Sequence, residues 1–366
     1  MLIEQCNAEG GLLKRPLEAV IMDPRSDPRA YAMQARKLLV ENKVAAIFGC
    51  WTSASRKEVL PVVEERDGLL FYPSQYEGEE ESPNIFYTGA TPQQQAIPAV
   101  DYLRRLGKKR FFLLGTDTVY PRTTNAILKS YLDAHGIAGD AVAEFYTPFN
   151  HKNWEDIVGW IHRFGTGGDA AIITTVSGDA NIYFYRELAR QGITAESMPA
   201  MTLSIGEGEL PAIAGPEMAG HLAAWSYLHA IDAPENHAFI AAWRKFCGAP
   251  NVVTDDPMEA TWIGFNLWKE AVIRAGTVEA DAVRRALAGL RVKAPSGFTV
   301  FMDPANHHLH KPAVIGRMTP DARIVPVWMS DRLIAPEPWS PWLNRAGSPE
   351  PRLDASHDER ALALAG

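Results

Sequence analysis

Short apolar runs alternate with amphipathic segments along most of the chain. Residues 44–48 are a continuous apolar run, and residues 53–66 after a short loop carry apolar side chains at helical spacing. Continuous apolar runs are typical of buried parallel strands, and apolar side chains at helical spacing are typical of amphipathic helices. Similar runs begin near Gly68, Arg110, Ala170 and Met201. The pattern predicts an α/β fold with doubly wound parallel sheets that helices cover on both faces.

The C-terminal third of the chain has a different pattern. Three helical segments are predicted at residues 235–246, 257–275 and 278–290, and short strands follow at 298–302, 313–317 and 324–328. A chain of 366 residues is longer than chains that usually fold around a single hydrophobic core. We therefore expect two lobes, each with its own core.

The N-terminus indicates a helix where a doubly wound sheet normally has a strand. Leu2, Ile3 and Cys6 have helical spacing, and residues 17–22 are predicted to form a buried strand. The first strand of such a sheet usually contributes to the ligand cleft. We expect a strand and part of a helix to be missing ahead of this chain, with a natural helix-first variant as the alternative.

Composition and charge disfavour several classes of protein, so we expect the function to reside in a pocket. The chain is 46% hydrophobic and 22% charged, with a formal net charge of −8, which disfavours a nucleic-acid partner. No apolar stretch approaches the ~20 residues of a membrane span, so no membrane insertion is predicted. The chain as written carries no export signal. Three cysteines without metal-ligand spacing predict no zinc site.

The loops after the predicted strands carry hydroxyl and aromatic side chains. Ligands of open parallel sheets bind beyond the carboxyl ends of the strands, here in segments 50–53, 72–77, 117–122, 177–179 and 204–207. An amino-acid ligand would need both an anionic and a cationic partner, but Arg56 and Lys57 are expected on a helix beyond the cleft. A small neutral polar ligand fits these loops better.

Other motifs give weaker signals. The histidines at 307, 308 and 310 lie in a predicted turn, so no metal site is predicted. Gly165–Gly168 lies between a helix and a strand, which is the wrong order for a dinucleotide loop, so no cofactor is predicted. The acidic run 77–81 is expected to be a solvated loop. Because no nucleophile motif occurs, a hydrolase is the least favoured function and a non-enzymatic protein is expected.

Several segments resemble one family closely. These are Gly49-Cys-Trp-Thr-Ser-Ala-Ser-Arg-Lys57, Leu70-Phe-Tyr-Pro-Ser-Gln-Tyr-Glu-Gly78, Pro83-Asn-Ile-Phe-Tyr-Thr-Gly-Ala90, Gly178-Asp-Ala-Asn181, Gly220-His-Leu-Ala-Ala-Trp225, Asp256-Pro-Met-Glu-Ala260 and Glu337-Pro-Trp339. They resemble the urea substrate-binding proteins of ABC transporters and, more weakly, the cytosolic amide-sensing regulator of the aliphatic amidase operon. The resemblance implies a type I periplasmic-binding-protein fold, with two lobes joined by three crossovers.

This fold implies a division of the chain. Lobe 1 is expected to comprise residues 1–89 and 233–295, and lobe 2 residues 90–232 and 296–335, with a poorly ordered tail at 336–366. The crossovers are predicted near residues 88–91, 229–233 and 294–297 because turn residues there separate the helix and sheet blocks. The missing strand would lie in the lobe 1 sheet, between the strands formed by 17–22 and 44–48.

The resemblance also implies which residues contact a ligand. Trp51, Ser53, Tyr72 and Ser74 are expected to do so from lobe 1, and Tyr120, Asp117, Ser177 and Glu207 from lobe 2. The implied function is binding of urea or a short-chain amide, with ABC permease subunits as partners and a periplasmic location if the gene encodes an export signal. The alternative is a cytosolic amide sensor whose partner is a regulator protein.

Overall fold

Two parallel sheets organise the chain, and the computed structural model describes residues 1–210 and 215–343. The first sheet has the order β1-β2-β3, with all strands parallel. The second has seven strands in the order β13-β12-β8-β7-β6-β4-β5, in which β12 runs antiparallel to both neighbours. A small antiparallel sheet has the order β11-β10-β9. The predicted α/β class is confirmed.

The strands and helices have the following bounds. The strands are β1 Ile47–Phe48, β2 Leu70–Tyr72, β3 Ile85–Tyr87, β4 Arg110–Thr116, β5 Val142–Thr147, β6 Ala170–Thr175, β7 Ala200–Thr202, β8 Leu222–Trp225, β9 Arg291–Lys293, β10 Thr299–Met302, β11 Leu309–His310, β12 Val314–Met318 and β13 Ile324–Met329. The helices are α1 Leu2–Ala8, α2 Pro28–Val40, α3 Ser53–Glu65, α4 Ala96–Arg105, α5 Val119–Ala134, α6 Glu155–Phe164, α7 Ala180–Arg190, α8 Pro234–Cys247, α9 Asp256–Ala275 and α10 Ala280–Leu287.

Local sequence explains where the longest helix begins and ends. The Asp255 side chain accepts a hydrogen bond from the Met258 backbone N–H, and a proline occupies the first turn of α9. At the other end Gly276 takes a left-handed conformation with φ 66°, which glycine adopts without steric cost. These two signals fix the ends of α9, and its buried face packs against β1 and β2.

The first sheet and the seven-stranded sheet are covered on both faces, as is typical of parallel strands. In the first lobe Leu70 and Tyr72 pack against α3, whereas Phe71 faces Ile263 and Leu267 of α9. In the second lobe, α4 and α5 cover one face of the large sheet and α6 and α7 the other. The predicted pair of separate cores is therefore present.

The predicted strand at residues 17–22 is absent. This segment has no regular structure, and the Ile21 side chain is 88% exposed. Among the described residues, β1 pairs only with β2, so no neighbouring strand offers hydrogen bonds to this apolar run. An apolar pattern without a ladder partner does not form a strand.

The predicted third crossover is also in a different place. Residues 294–297 form the turn of the β9–β10 hairpin, where Ala294 N–H donates to the Phe298 carbonyl and Gly297 has φ 84°. Val300 and Leu309 pack into the first core, whereas the prediction assigned residues from 296 onwards to lobe 2. The chain enters the large sheet only after β11, through residues 311–313.

The tail packs on both lobes as far as it is described. The Ser340 N–H donates to Glu79 Oε1 over 2.7 Å, and the Trp342 ring lies 5.0 Å from the ring of Tyr131 on α5. Residues 336–343 are therefore not the loose tail that composition predicted. The remainder of the predicted tail, 344–366, lies outside the described residues.

One buried ion pair lies among the segments that link the lobes. Lys311 in the third crossover is fully buried; its Nζ donates to the Thr88 carbonyl in the first over 3.0 Å and lies 3.6 Å from Asp256 Oδ1. Asp256 Oδ2 in turn accepts from the Ser226 N–H over 2.9 Å, directly after β8 and three residues before the predicted second crossover. Any movement between the lobes must therefore preserve or rearrange this contact.

Replacing Lys311 by methionine tests this connection. The variant leaves Asp256 without its cation, and we expect a loss of about 3–5 kcal/mol in the free energy of unfolding, as for a broken buried pair. The matched control is Lys293→Met, since Lys293 is half exposed and 3.7 Å from Glu235; its loss should stay below about 1 kcal/mol. Guanidinium unfolding measures both. Equal losses in the two variants would show that the ion pair does not hold the crossovers.

Candidate ligand-binding cleft

The cleft lies where the N-termini of two helices approach each other from opposite lobes. Helix α3 begins at Ser53, directly after β1, and α5 begins at Val119, directly after β4. The two helices contact each other. Both follow the carboxyl ends of parallel strands, which is where open α/β sheets bind ligands.

A buried arginine organises the lobe 1 side of the cleft. Arg56 on α3 is fully buried, and its Nε donates to Glu80 Oε1 over 2.7 Å while Nη2 donates to Glu77 Oε1 over 3.1 Å. Its guanidinium carbon lies 4.8 Å from the ring centre of Tyr72 and 4.4 Å from that of Tyr76. Both rings add cation–π attraction to the ion pairs.

The charges of this cluster cancel. Arg56 and Lys57 contribute two positive charges, and Glu77 and Glu80 two negative ones. Burial disfavours the charged guanidinium, but Glu77, Tyr72 and Glu80 outweigh it and raise the pKa of Arg56 well above its ordinary value. Burial likewise works against the charged form of Glu80, and Arg56 outweighs it and lowers the pKa of that carboxyl. Arg56 therefore stays positively charged, and the adjacent carboxylates of Glu77 and Glu80 neutralise its charge.

Two sequence predictions are wrong here. Glu77 and Glu80 are 1% and 7% exposed, not a solvated loop, and Arg56 lies at the cleft instead of beyond it. These charged side chains are buried because they pair with one another. A buried guanidinium requires carboxylate partners, and buried carboxylates require a cation. One signal was present in the sequence, because Arg56 lies three residues before Val59 on the apolar face of α3.

Lobe 2 contributes a tyrosine and a backbone carbonyl. The Tyr120 hydroxyl donates to Gln95 Oε1 over 3.2 Å, and Gln75 of lobe 1 donates through Nε2 to the Leu203 carbonyl over 3.3 Å. Burial raises the pKa of Tyr120 above its ordinary range, and the nearby Glu77 charge adds to the effect. Tyr120 therefore stays protonated as a donor. The Gln75 contact spans the cleft from one lobe to the other.

Several buried polar atoms in the loops around these groups have no hydrogen-bond partner. Buried polar atoms nearly always have a hydrogen-bond partner, yet four around the cleft lack one: Ser74 Oγ, Gln75 Oε1, Ser204 Oγ and Glu207 Oε2. They belong to loops of both lobes. Donors and acceptors left in this state are suited to a polar ligand or to water.

Glu207 lies at the hinge end of this region. Its Oε1 accepts from the His229 N–H over 2.7 Å. Burial raises the pKa of Glu207 to about 8, with Asp255 and Asp256 nearby also favouring the protonated form. Near neutral pH the carboxyl is mostly protonated and can offer a hydroxyl donor.

The remaining predicted ligand residues lie at the edge of the cluster. Trp51 contributes its carbonyl to the Tyr72 hydroxyl over 2.8 Å, while its own ring is 53% exposed. The Asp117 carboxylate is held by Arg122 through two hydrogen bonds. Ser177 is partly exposed, and its N–H donates to Thr116 Oγ1. Ser53 hydrogen-bonds to Glu77, and Tyr120 lies near Glu77 and Tyr72, so these predicted ligand residues lie close together.

The histidine-rich turn is a packing element behind the cleft. The His308 ring stacks 4.1 Å from the ring of Tyr87 and hydrogen-bonds to Tyr76, and burial lowers the pKa of His308 to about 3. His310 pairs with Asp303. Within residues 1–210 and 215–343, no group of three or more potential ligand side chains is arranged to hold a metal ion.

Comparison with known families identifies the architecture. A family profile described as "Periplasmic binding protein domain" matches residues 1–345. The chain belongs to this family. The family is described by binding, in agreement with the expectation of a non-enzymatic protein. The fold is the predicted type I periplasmic-binding-protein fold.

Solved structures of solute-binding proteins share this fold. A Rhodopseudomonas palustris HaA2 protein in complex with p-hydroxybenzoic acid is 21% identical, with a TM-score of 0.80 over 90% of this chain and 89% of that one. A second R. palustris protein, in complex with benzoate, is 17% identical, with a TM-score of 0.79 over 92% and 91%. An amino acid ABC transporter substrate-binding protein from Pseudomonas fluorescens Pf-5 is 17% identical, with a TM-score of 0.77 over 90% and 88%. At these identities the likeness shows the fold.

A curated relative is similar over a short region. Limonene hydroxylase of Geobacillus stearothermophilus is 28% identical over 120 residues, which is 33% of this chain. The match spans 22% of that protein's length, so it does not indicate that this chain has that protein's activity. No helix in the described part of this family member combines the length and apolar character needed to cross a membrane.

The raised pKa of Glu207 predicts a pH dependence of stability. The unfolded chain ionises this carboxyl near pH 4.5 and the folded protein near pH 8. Between these values the folded state binds more protons, so its free energy of unfolding falls as the pH rises. Glu207→Gln should reduce this fall by about 2–5 kcal/mol between pH 5 and 9. Melting curves across that range measure it.

The control for this test is Glu58→Gln, an exposed glutamate on α3. It should leave the slope of stability against pH as in the wild type. If Glu207→Gln and Glu58→Gln follow the same curve as the wild type, Glu207 does not titrate in the way its burial predicts.

Proposed function

We propose that this protein is the substrate-binding component of an ABC importer and that it binds urea or a short-chain amide between its lobes. One observation carries the choice of ligand: the guanidinium of Arg56, the buried cation beside the cleft, is already neutralised by Glu77 and Glu80. A carboxylate ligand would have to compete with these partners. A neutral ligand leaves the pairs intact.

The roles of the cleft residues follow from their chemistry. Urea and amides combine N–H donors with one carbonyl acceptor, so they need both kinds of partner. Ser53, Ser74, Tyr72 and Trp51 would contact the ligand from lobe 1, and Tyr120, Glu207, Ser177 and Asp117 from lobe 2. The tyrosine rings supply apolar walls that exclude water from these hydrogen bonds.

Closure of the lobes would convert binding into a signal for a partner. Ligand contacts made by both lobes favour the closed form over the open one. Permease subunits in a membrane would read this form, with the protein located in the periplasm. This assignment is supported by membership of the periplasmic binding family and by the likeness to solute-binding proteins.

An aromatic carboxylate is the second candidate ligand. The observation in its favour is the combination of buried Arg56 with the rings of Tyr72 and Tyr76, which could hold a benzoate if a glutamate were displaced. The R. palustris proteins of the same fold bind p-hydroxybenzoic acid and benzoate. This candidate requires a carboxylate ligand to break an existing buried ion pair.

A ligand panel separates the two candidates. We expect urea, acetamide and formamide to raise the melting temperature and to give saturable heats in calorimetric titration, because a ligand that binds only the folded state stabilises it. 4-Hydroxybenzoate and leucine should have no effect. Stabilisation by 4-hydroxybenzoate alone would replace the amide assignment with the aromatic one. Urea is used at millimolar concentrations, well below those that denature proteins.

A further inference from the structure

The single hydroxyl proton of Ser53 is committed to a glutamate. Ser53 Oγ donates to Glu77 Oε2, and the other oxygen of that carboxylate accepts from Arg56 Nη2 over 3.1 Å. Ser53 and Glu77 are 4% and 1% exposed, so water does not compete for this proton. An ionised carboxylate only accepts hydrogen bonds, and a serine hydroxyl has one proton to donate.

Ser53 is consequently left with lone pairs alone. A serine oxygen can accept two hydrogen bonds, and the one further contact here is a long 3.4 Å approach of Arg56 Nη1. Ser53 is also the first residue of α3, the lobe 1 helix that contacts α5 of lobe 2. Its oxygen can therefore accept a hydrogen bond from a group in the cleft but cannot donate one.

We propose that Glu77, held in place by Arg56, fixes Ser53 as a hydrogen-bond acceptor, and that the cleft thereby selects ligands that carry an N–H donor. Glu77 and Arg56 act here as positioning residues, since they reach the ligand through Ser53. The inference rests on the proposed function and deepens it, because it names the ligand group that Ser53 recognises.

Acetamide and acetate form a matched pair for this inference. They have the same shape, but acetamide presents an N–H group where acetate presents a second acceptor oxygen. Acetate would place an acceptor against the Ser53 acceptor and leave both unpaired. We expect the wild-type protein to prefer acetamide by about tenfold or more, the magnitude of one misplaced hydrogen bond.

Glu77→Gln should reverse the polarity of Ser53. Arg56 Nη2 still requires an acceptor, so it holds the new amide with its oxygen towards the guanidinium and its NH₂ towards Ser53. Ser53 then accepts from the glutamine and turns its own proton to the cleft. The acetamide-to-acetate affinity ratio, measured by calorimetry, should fall by about tenfold or more.

Glu80→Gln is the matched control. It removes the same charge from the same guanidinium, since Glu80 Oε1 accepts from Arg56 Nε over 2.7 Å, but it makes no hydrogen bond to Ser53. A merely electrostatic or structural role of the glutamates would change the ratio equally in both variants. If Glu77 acts through Ser53, the ratio in Glu80→Gln stays within about threefold of the wild type, less than one hydrogen bond is worth.

Ser53→Ala completes the test and covers a folding failure. In the Ser53→Ala background, Glu77→Gln should no longer change the ratio, because the group through which it acts is absent. Ser53→Ala alone should weaken acetamide binding by about tenfold and leave acetate binding no weaker. Melting temperatures show which variants fold, and Ser53→Ala decides the matter if Glu77→Gln does not.

The outcomes separate this inference from the proposed function. Amide binding with equal ratios in Glu77→Gln and Glu80→Gln overturns the role of Glu77 and leaves the proposed function standing. So does weaker acetate binding in Ser53→Ala. Wild-type protein that prefers acetate, or that binds neither ligand nor urea, overturns both the proposed function and the inference.

Discussion

Arg56 carries a permanent charge into a fully buried position, and the lobe 1 wall of the cleft is arranged around that charge. A guanidinium without partners in such a place would cost far more than a folded domain has to spare. The chain after β2 therefore returns over α3 and brings Glu77 and Glu80 to it, while Tyr72 and Tyr76 cover its faces. The same arrangement positions the hydroxyl of Ser53 and leaves the wall without net charge.

A second buried cation has a different task. Lys311 connects Thr88 to Asp256, so one buried ion pair lies among the segments that link the lobes. Further out, the Gln75 contact to the Leu203 carbonyl spans the cleft. A rigid connection at the hinge and polar contacts across the opening are the parts that closure on a ligand requires. The fold alone does not determine which ligand is bound, because proteins of the same architecture bind aromatic carboxylates.

Continuous apolar runs, helical periodicity and the order of segments predicted much of this protein. The alternation of buried runs and amphipathic helices predicted both sheets, because burial on two faces leaves a local trace in each strand. Ser53, Tyr72 and Tyr120 were predicted at the cleft for the same kind of reason: each lies just after or at the end of a strand, and the carboxyl ends of parallel strands share one edge. The position of a residue at the end of a strand depends only on its neighbours in the sequence, so it can be predicted from them.

Contacts between distant segments were decided only in the tertiary structure. Residues 17–22 are as apolar as a strand but have no partner to pair with, and Gly297 closes a hairpin where a crossover was expected. Above all, the acidic run at 77–81 looks solvated until Arg56, more than twenty residues earlier, is placed against it. The sequence by itself determined most of the segments that form helices and strands, since these depend mainly on local periodicity. The pairing of buried charges depends on which segments meet in space, and no local pattern records it.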